Sequence, residues 1–159
     1  MPDSPSPHPR ASADHLYSEK LWPSWWVWIV VLGISAACIL VLAPISVAAG
    51  FTGAVVVFLV LSGILVATTP AVVVTVRELR AGRAVLPREF VAAAEGFAGD
   101  EATAERGVRL DGRAYLCIRG WINPVVRVDL SDPEDPTPYW LVSTRRPERL
   151  VAALAASKG

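Results

Sequence analysis

Uncharged, mostly apolar residues run without a break from Leu21 to Val76, and these 56 residues include no Asp, Glu, Lys, Arg or His. A domain in water needs a charged outer face, so this run excludes an ordinary soluble globular protein. About 20 apolar residues in a helix cross the hydrocarbon core of a bilayer. The run is too long for one such helix and has the length of two.

Pro44 divides the run, because proline cannot continue the helical hydrogen-bond ladder and a tight turn is required there. The pattern predicts a transmembrane hairpin with spans at about 25–43 and 46–68, the second ended by Thr69-Pro70. A cleaved signal peptide is the alternative. It fits less well, because the apolar core is too long for a signal sequence and a second span follows at once.

The charges that flank the predicted hairpin give its orientation. Lys20 comes just before the first span, the connecting turn carries no charge, and arginines at positions 77, 80, 83 and 88 follow the second span. Positive residues near the ends of membrane spans are retained in the cytoplasm. We therefore predict a multi-pass protein of the cell (inner) membrane with both termini cytoplasmic.

Tryptophans cluster at the start of the first predicted span, at Trp22, Trp25, Trp26 and Trp28. Indole rings favour the headgroup layer, where an apolar body and one N–H group are both accommodated. The cluster therefore predicts an aromatic belt at the membrane interface, with a lipid-binding or partner-helix surface as the alternative.

Small residues recur along both predicted spans, at Gly33, Ala36 and Ala37 in the first and at Gly50, Gly53 and Ala54 in the second. Small faces allow helices to approach closely in lipid, so they predict packing within the hairpin or in a homo-oligomer. The spans carry no charged residue, so an ion path or a transport function is not expected.

The chain outside the hairpin divides into two further parts. Residues 1–16 are rich in Pro and Ser and predict a disordered tail. The hairpin segment then covers residues 17–69, and residues 70–159 form a cytoplasmic domain. In that domain, alternating β-branched residues predict strands near 72–76, 83–86, 90–95, 114–118, 126–130 and 139–144.

Three local signals complete the predicted fold. Asp111-Gly112 predicts a β-hairpin turn. Residues 100–106 favour a helix with Asp100 as its N-cap, and Pro147 opens a second helix whose apolar stripe is Leu150, Val151 and Leu154. The predicted fold class is α+β, with a transmembrane hairpin followed by a small antiparallel β-barrel capped by a C-terminal helix.

Composition and motifs exclude several functions. The 15 basic residues equal the 15 acidic ones and form no basic stripe, which argues against nucleic acid as a partner. Cys38 and Cys117 are too isolated for a disulfide framework or a zinc site. His8 and His15 are the only histidines and lie in the tail. The sequence contains no phosphate-binding glycine loop and no Gly-x-Ser-x-Gly elbow.

These absences predict a non-enzymatic protein without a cofactor or a metal. The acidic residues Asp129, Asp132, Glu134 and Asp135 lack the spacing of a calcium loop, so a solvated loop is expected there. Cys117 sits among apolar residues and is expected to be an inert strand residue rather than a nucleophile.

Two groups of residues are candidates for ligand binding. Arg145, Arg146 and Arg149 lie where the last strand meets the last helix, where guanidinium groups could bind phosphate or carboxylate. Trp121 and Trp140 lie beside turn residues and could line a groove. The alternatives are surface charge for the arginines and core packing for the tryptophans.

Two segments carry a family resemblance. Tyr17-Ser18-Glu19-Lys20-Leu21-Trp22-Pro23-Ser24-Trp25-Trp26 and the segment from Asp132 to Pro147, with its Pro-Tyr-Trp-Leu-Val-Ser-Thr-Arg-Arg-Pro motif, resemble a family of short actinobacterial membrane proteins of unknown function. The resemblance covers about residues 17–155 and implies two spans and a cytoplasmic domain, without an activity. More loosely, residues 80–87 and the motif's Ser-Thr-Arg-Arg-Pro end resemble bacterial pleckstrin-homology-like domains.

The sequence therefore favours an integral membrane protein that acts as an interaction module in the lipid bilayer, its cytoplasmic domain binding a protein or an anionic lipid headgroup. A short connection would hold that domain against the inner leaflet, where anionic lipid attracts arginine. The alternative is a structural subunit of a larger membrane complex that uses its transmembrane helix faces.

Overall fold

The computed structural model describes residues 15–156, and there the chain is of the α+β class. Its elements are β1 (His15–Lys20), α1 (Trp25–Leu42), α2 (Val47–Ala67), β2 (Ala71–Thr75), β3 (Glu78–Ala81), β4 (Ala84–Pro87), a 3₁₀ turn (Arg88–Phe90), β5 (Val91–Phe97), α3 (Gly99–Arg106), β6 (Tyr115–Cys117), β7 (Val125–Leu130), β8 (Tyr139–Ser143) and α4 (Pro147–Ala155). The tail predicted for residues 1–16, with His8, lies outside the described residues except for its last two positions.

The strands form two four-stranded sheets, with the order β1-β2-β3-β4 in the first and β5-β7-β8-β6 in the second. One core joins them to α4, and it contains Val72 and Leu79 of the first sheet, Val126 and Val142 of the second, and Leu150 of α4. The predicted closed barrel is wrong, because the strands divide into two separate sheets. The resemblance to pleckstrin-homology-like domains is not confirmed.

The second sheet is mixed rather than antiparallel, because β6 and β8 run parallel, with Tyr115 opposite Trp140. The hairpin turn predicted at Asp111-Gly112 is therefore wrong. The Asp111 carboxylate instead accepts hydrogen bonds from the backbone N–H and the guanidinium of Arg113. Residues 107–114 form turns and bends rather than a strand, so no antiparallel partner precedes β6 there.

The helices α1 and α2 are inserted between two strands that are direct neighbours. β1 and β2 pair antiparallel, with Lys20 opposite Ala71 and Glu19 opposite Val72, although both helices separate them in sequence. The Leu21 N–H continues this ladder with a 3.0 Å hydrogen bond to the carbonyl of Pro70. Both ends of the helical hairpin are therefore fixed at one end of the first sheet.

This pairing places residues 17–20 in the first sheet. The sequence places residues 17–20 in the hairpin segment, but they belong to the edge strand of the first sheet, and Tyr17 packs in the core. The strand gives a weak sequence signal because Tyr17 is its only buried residue. The folded domain consists of β1 together with the elements from β2 to α4.

Both helices lie where the sequence predicts them, and both are long and apolar enough to span a membrane. Their 18 and 21 residues rise to about 27 Å and about 32 Å at about 1.5 Å per residue. Each has a mean hydropathy of 2.4, and only 11% of the α1 window and 6% of the α2 window is buried. They are therefore not core helices of the domain.

The two helices contact each other through small residues of α2. A Cβ atom at Gly50 would lie 3.3 Å from the Cα and the carbonyl oxygen of Ile39 in α1. At Gly53 it would meet side-chain atoms alone, the end of the flexible Leu42 side chain at 2.9 Å and Cys38 Cβ at 4.0 Å, and at Gly63 nothing lies within 4 Å. Gly50 is thus the point of closest backbone approach among these three.

The remaining elements mostly follow the predicted pattern. β2, β4, β5, β6, β7 and β8 overlap predicted strands, and α4 begins at Pro147 and buries most of its predicted apolar stripe. Two details differ. Ala98 rather than Asp100 is the N-cap of α3, with Asp100 in the first helical turn. β3 is an additional strand that the alternation does not indicate.

We expect Gly50→Leu to destabilise the helical hairpin by about 1–3 kcal/mol, the usual cost of overpacking, because the new side chain meets the backbone of α1. Gly63→Leu adds the same atoms in open space and should leave stability unchanged. Thermal unfolding of both variants in one detergent checks this expectation. Equal melting temperatures for the two variants would contradict a close backbone approach at Gly50.

Candidate functional site

A cluster of hydrogen bonds centred on Glu19 joins β1 to the segment between β8 and α4. Glu19 Oε2 accepts from the Tyr17 hydroxyl and from Thr144 Oγ1, each at 2.6 Å. The Glu19 carboxylate also accepts from the backbone N–H of Arg145, at 3.1 Å to Oε1. The two sequence segments that carry the family resemblance therefore meet in one cluster.

The Arg145 side chain belongs to this cluster rather than to a free ligand site. One guanidinium nitrogen donates a 2.6 Å hydrogen bond to the Trp22 carbonyl, and another lies 3.9 Å from Glu19 Oε1. Arg146 and Arg149 are exposed, and their side chains have no hydrogen bond or ion pair within residues 15–156. The three arginines predicted as one ligand site thus differ in role, because Arg145 already has protein partners.

The two candidate tryptophans are also used by the fold. Trp140 is only 6% exposed, and its ring centroid lies 4.6 Å from that of Tyr115, so it belongs to the core. Trp121 is half-buried, and its indole N–H donates a 3.3 Å hydrogen bond to the Leu21 carbonyl. Ser24, just before α1, donates to the Trp121 carbonyl at 3.1 Å. Trp121 therefore links the second sheet to the start of α1.

The tryptophans at the start of α1 form an exposed aromatic group. Trp25 is 75% exposed, and Trp22 and Trp26 are each 46% exposed, whereas Trp28 is half-buried. Lys20 Nζ lies 4.4 Å from the centroid of the Trp22 ring, within the range of a cation–π contact. These rings leave large apolar surfaces beside the end of the first sheet.

Four basic residues lie near the base of the hairpin, where α1 begins and α2 ends. We call this group the basal collar; its members are Lys20, Arg83, Arg119 and Arg145. Arg119 donates 2.8 Å hydrogen bonds to the carbonyls of Thr68, which caps α2, and of Ile118. Its positive charge also stabilises the C-terminal end of α2, since cations interact favourably with the negative end of the helix dipole. No local sequence signal indicates this role for Arg119, because Thr68 lies 51 positions away.

A cavity of about 490 Å³ opens beside the end of α2. It is lined by residues 67–71, by the β3–β4 turn at Gly82 and Arg83, by β6 and by Arg119. Gly82 has φ of +66°, a conformation that favours glycine. In the sequence Arg83 indicates only membrane orientation, whereas the fold places it with Arg119 at one cavity.

A second cavity, of about 590 Å³, lies beside the 3₁₀ turn and includes Arg88. Arg88 is buried and donates hydrogen bonds to the carbonyls of Thr75, at 3.1 Å, and of Leu154. Burial lowers the pKa of its guanidinium. Arg88 therefore connects the end of β2 to α4.

The thiol of Cys117 and the acidic loop residues, which were considered as a nucleophile and as metal ligands, have roles in the fold. Burial raises the pKa of the Cys117 thiol, which disfavours the reactive thiolate. Asp132 and Asp135 accept backbone hydrogen bonds from Glu134 and Thr137 within their own loop. Within residues 15–156, no group of three or more His, Cys, Asp and Glu side chains is placed to hold a metal ion.

Together these features define an α+β domain that carries an inserted pair of apolar helices, with the basal collar where the pair joins the domain. The chain belongs to the family described as "Protein of unknown function (DUF3093)", whose model matches residues 16–154. The match begins in β1 and ends in α4, so the family unit includes the strand that precedes the helices. No curated protein and no solved structure matches the chain.

The environment of Tyr17 leads us to expect that the stability of the folded protein depends on pH. Burial and the hydrogen bond to Glu19 raise the pKa of Tyr17 from 10.0 to about 12. Its neutral form is thus favoured in the folded state, and this contribution is complete below pH 10 and is lost as the pH rises towards 12. A shift of this size corresponds to about 2–3 kcal/mol.

We therefore expect the wild type to lose more stability between pH 10 and 12 than Tyr17→Phe does. Denaturant unfolding of both proteins in detergent across this range measures the difference. Tyr115, whose pKa burial also raises, is present in both proteins and cancels in the comparison. Parallel stability profiles would contradict a buried, hydrogen-bonded Tyr17.

Glu19→Gln should destabilise the protein by about 1–3 kcal/mol, because the hydroxyls and the N–H group around position 19 lose a charged acceptor. Glu134→Gln is the matched control, since Glu134 is exposed and its side chain has no partner within residues 15–156. Melting temperatures in detergent give the comparison. A control as unstable as Glu19→Gln would exclude a specific role for the cluster.

Proposed function

We propose that this chain is an integral membrane protein in which α1 and α2 span the bilayer and hold the β domain against the cytoplasmic face, as a non-enzymatic interaction module. The observation that carries this proposal is the insertion of two exposed, apolar helices between the paired strands β1 and β2. Large apolar side chains on both helices are more than half exposed, for example Leu40, Val41 and Leu59. A bilayer supplies the apolar surroundings they require.

A soluble core helix and a cleaved signal sequence both fit the structure less well than a pair of membrane spans. A core helix of a soluble protein would be mostly buried, whereas only 11% and 6% of the two windows is buried. Removal of α1 as a signal sequence would also remove β1, and with it Tyr17, Glu19 and their contacts to Thr144. The strand pairing thus favours retention of both helices in the mature protein.

The basal collar supports the orientation. Lys20, Arg119 and Arg145 contact residues at the two ends of the hairpin, whereas the turn at 43–46 carries no charge. Positive residues beside membrane spans are retained on the cytoplasmic side. Because β1 and β2 pair directly, the segments before and after the hairpin lie on the same side. The domain therefore meets the headgroup layer with its positive end.

The interaction that this geometry favours is with anionic lipid headgroups. Each Lys or Arg close to an anionic leaflet contributes about 1 kcal/mol. The exposed rings of Trp22, Trp25 and Trp26 lie beside the collar, which is the arrangement of an interfacial belt. The domain would thus be fixed by the hairpin and oriented by its contacts with the leaflet.

Cysteine labelling tests the topology. In a background with Cys38→Ala and Cys117→Ala, Ile45→Cys lies in the hairpin turn and Val108→Cys lies after α3, at 81% and 93% exposure of the native side chains. An impermeant maleimide added to intact cells should label position 45 and should label position 108 only after permeabilisation. The protein should also remain in the membrane during an alkaline carbonate wash.

Labelling of both positions from the same side, or release by carbonate, would overturn the proposed anchoring. The reversed pattern, with position 108 labelled in intact cells, would retain the spans and overturn the orientation. Both single-cysteine variants are assayed in the same background, so differences in labelling arise from location.

A further inference from the structure

The cavity beside the end of α2 has a composition that suits an anion. Arg83 and Arg119 are the charged residues in its lining, and the lining includes no carboxylate. The Arg83 side chain has no hydrogen bond or ion pair within residues 15–156, so its charge is not neutralised by the described protein. A ligand with negative charge would supply the missing partner.

Arg119 is held in place at the same cavity. Two of its guanidinium nitrogens donate to the carbonyls of Ile118 and Thr68, and its cationic carbon lies 6.0 Å from the centroid of the Trp121 ring. A guanidinium has five N–H donors, so donors remain after these two bonds. An arginine fixed in this way loses little side-chain entropy when it binds a ligand.

The walls of the cavity are formed by elements that the fold fixes. The Tyr115 hydroxyl donates a 2.9 Å hydrogen bond to the Ala81 carbonyl and so joins β6 to the end of β3. A Cβ atom at Gly82 would lie 3.5 Å from Pro70 and 3.7 Å from Cys117 Sγ. The absence of a side chain at Gly82 therefore keeps space open between these walls.

The position of the cavity relative to α2 indicates the source of the ligand. Its lining includes residues 67–70, where α2 ends and the chain returns to β2. If α2 spans the bilayer, these residues lie at the level of the headgroups. An anionic group is present there at high local concentration as the phosphate of the membrane lipids.

We propose that this cavity binds the phosphodiester headgroup of an anionic phospholipid, with Arg83 and Arg119 as the phosphate ligands. This inference rests on the proposed membrane anchoring and adds to it one defined lipid-binding site. The site differs from the arginines at 145, 146 and 149 that the sequence indicates. Its apolar walls, including the 45% exposed Leu116, would contact the glycerol backbone of the lipid.

The test uses the full chain, purified in detergent and titrated with phosphatidylglycerol, with phosphatidylcholine as the zwitterionic comparison. Native mass spectrometry counts the lipids that remain bound. The wild type should retain phosphatidylglycerol in preference to phosphatidylcholine. Arg83→Gln should weaken retention of phosphatidylglycerol about fivefold, the effect expected for one arginine near an anionic leaflet. Arg83 is exposed, and its side chain has no hydrogen bond or ion pair within residues 15–156 that the substitution would remove.

Arg77→Gln is the matched control, because Arg77 is also an exposed arginine whose side chain has no hydrogen bond or ion pair within residues 15–156, but it follows the opposite end of β2 and lies outside the cavity lining. It should bind phosphatidylglycerol as the wild type does. Arg119→Gln should also lose retention, and its melting temperature separates lost binding from lost folding. Equal retention by Arg83→Gln and Arg77→Gln would overturn the site.

A competition experiment with glycerol 3-phosphate distinguishes a lipid ligand from a soluble phosphate ester. Displacement of phosphatidylglycerol at equal concentration would overturn the lipid as the ligand. The carbonate wash of the unaltered protein reports on the anchoring separately. A protein that stays in the membrane but shows no difference between the two arginine variants refutes the lipid site alone, whereas a protein that is washed off refutes the proposed function.

Discussion

The hydrogen-bond ladder between β1 and β2 is the constraint on which the rest of the structure depends. It closes a segment of two helices at its base, because Lys20 pairs with Ala71 and Leu21 bonds to Pro70. Without it, α1 would be joined to the domain by a single covalent connection. With it, α1 begins and α2 ends at the same end of the first sheet, so the hairpin is attached to the domain at both of its ends.

The second sheet reinforces this attachment at both helix ends. Trp121 and Arg145 bond to carbonyls just before α1, at Leu21 and Trp22, and Arg119 bonds to Thr68 at the end of α2. These contacts come from two segments of the chain, the connection between β6 and β7 and the connection between β8 and α4. Trp121 and Arg145, which the sequence indicates as ligand-binding candidates, thus attach the domain to the start of α1.

The sequence reveals features that depend on local composition. Length and hydropathy locate both helices, Pro147 locates the start of α4, and alternation locates most strands. Long-range pairing is not encoded locally, so β1 gives no clear signal beside a polar tail, and the parallel direction of β6 contradicts the turn signal at Asp111-Gly112. The cavity also has no local sequence signal. Arg83 and Arg119 lie 36 positions apart and come to line one cavity only in the folded chain.

The order of synthesis gives the insertion of the hairpin a consequence for biogenesis. β1 leaves the ribosome before both helices and before β2, so its partner strand is not yet available when it emerges. If only one helix entered the bilayer, β1 and β2 would emerge on opposite faces, the ladder could not form, and Tyr17 and Glu19 would lack Thr144 as a partner. If α1 and α2 span the bilayer as proposed, the first sheet can be completed only when β1 and β2 lie on the same face of the membrane.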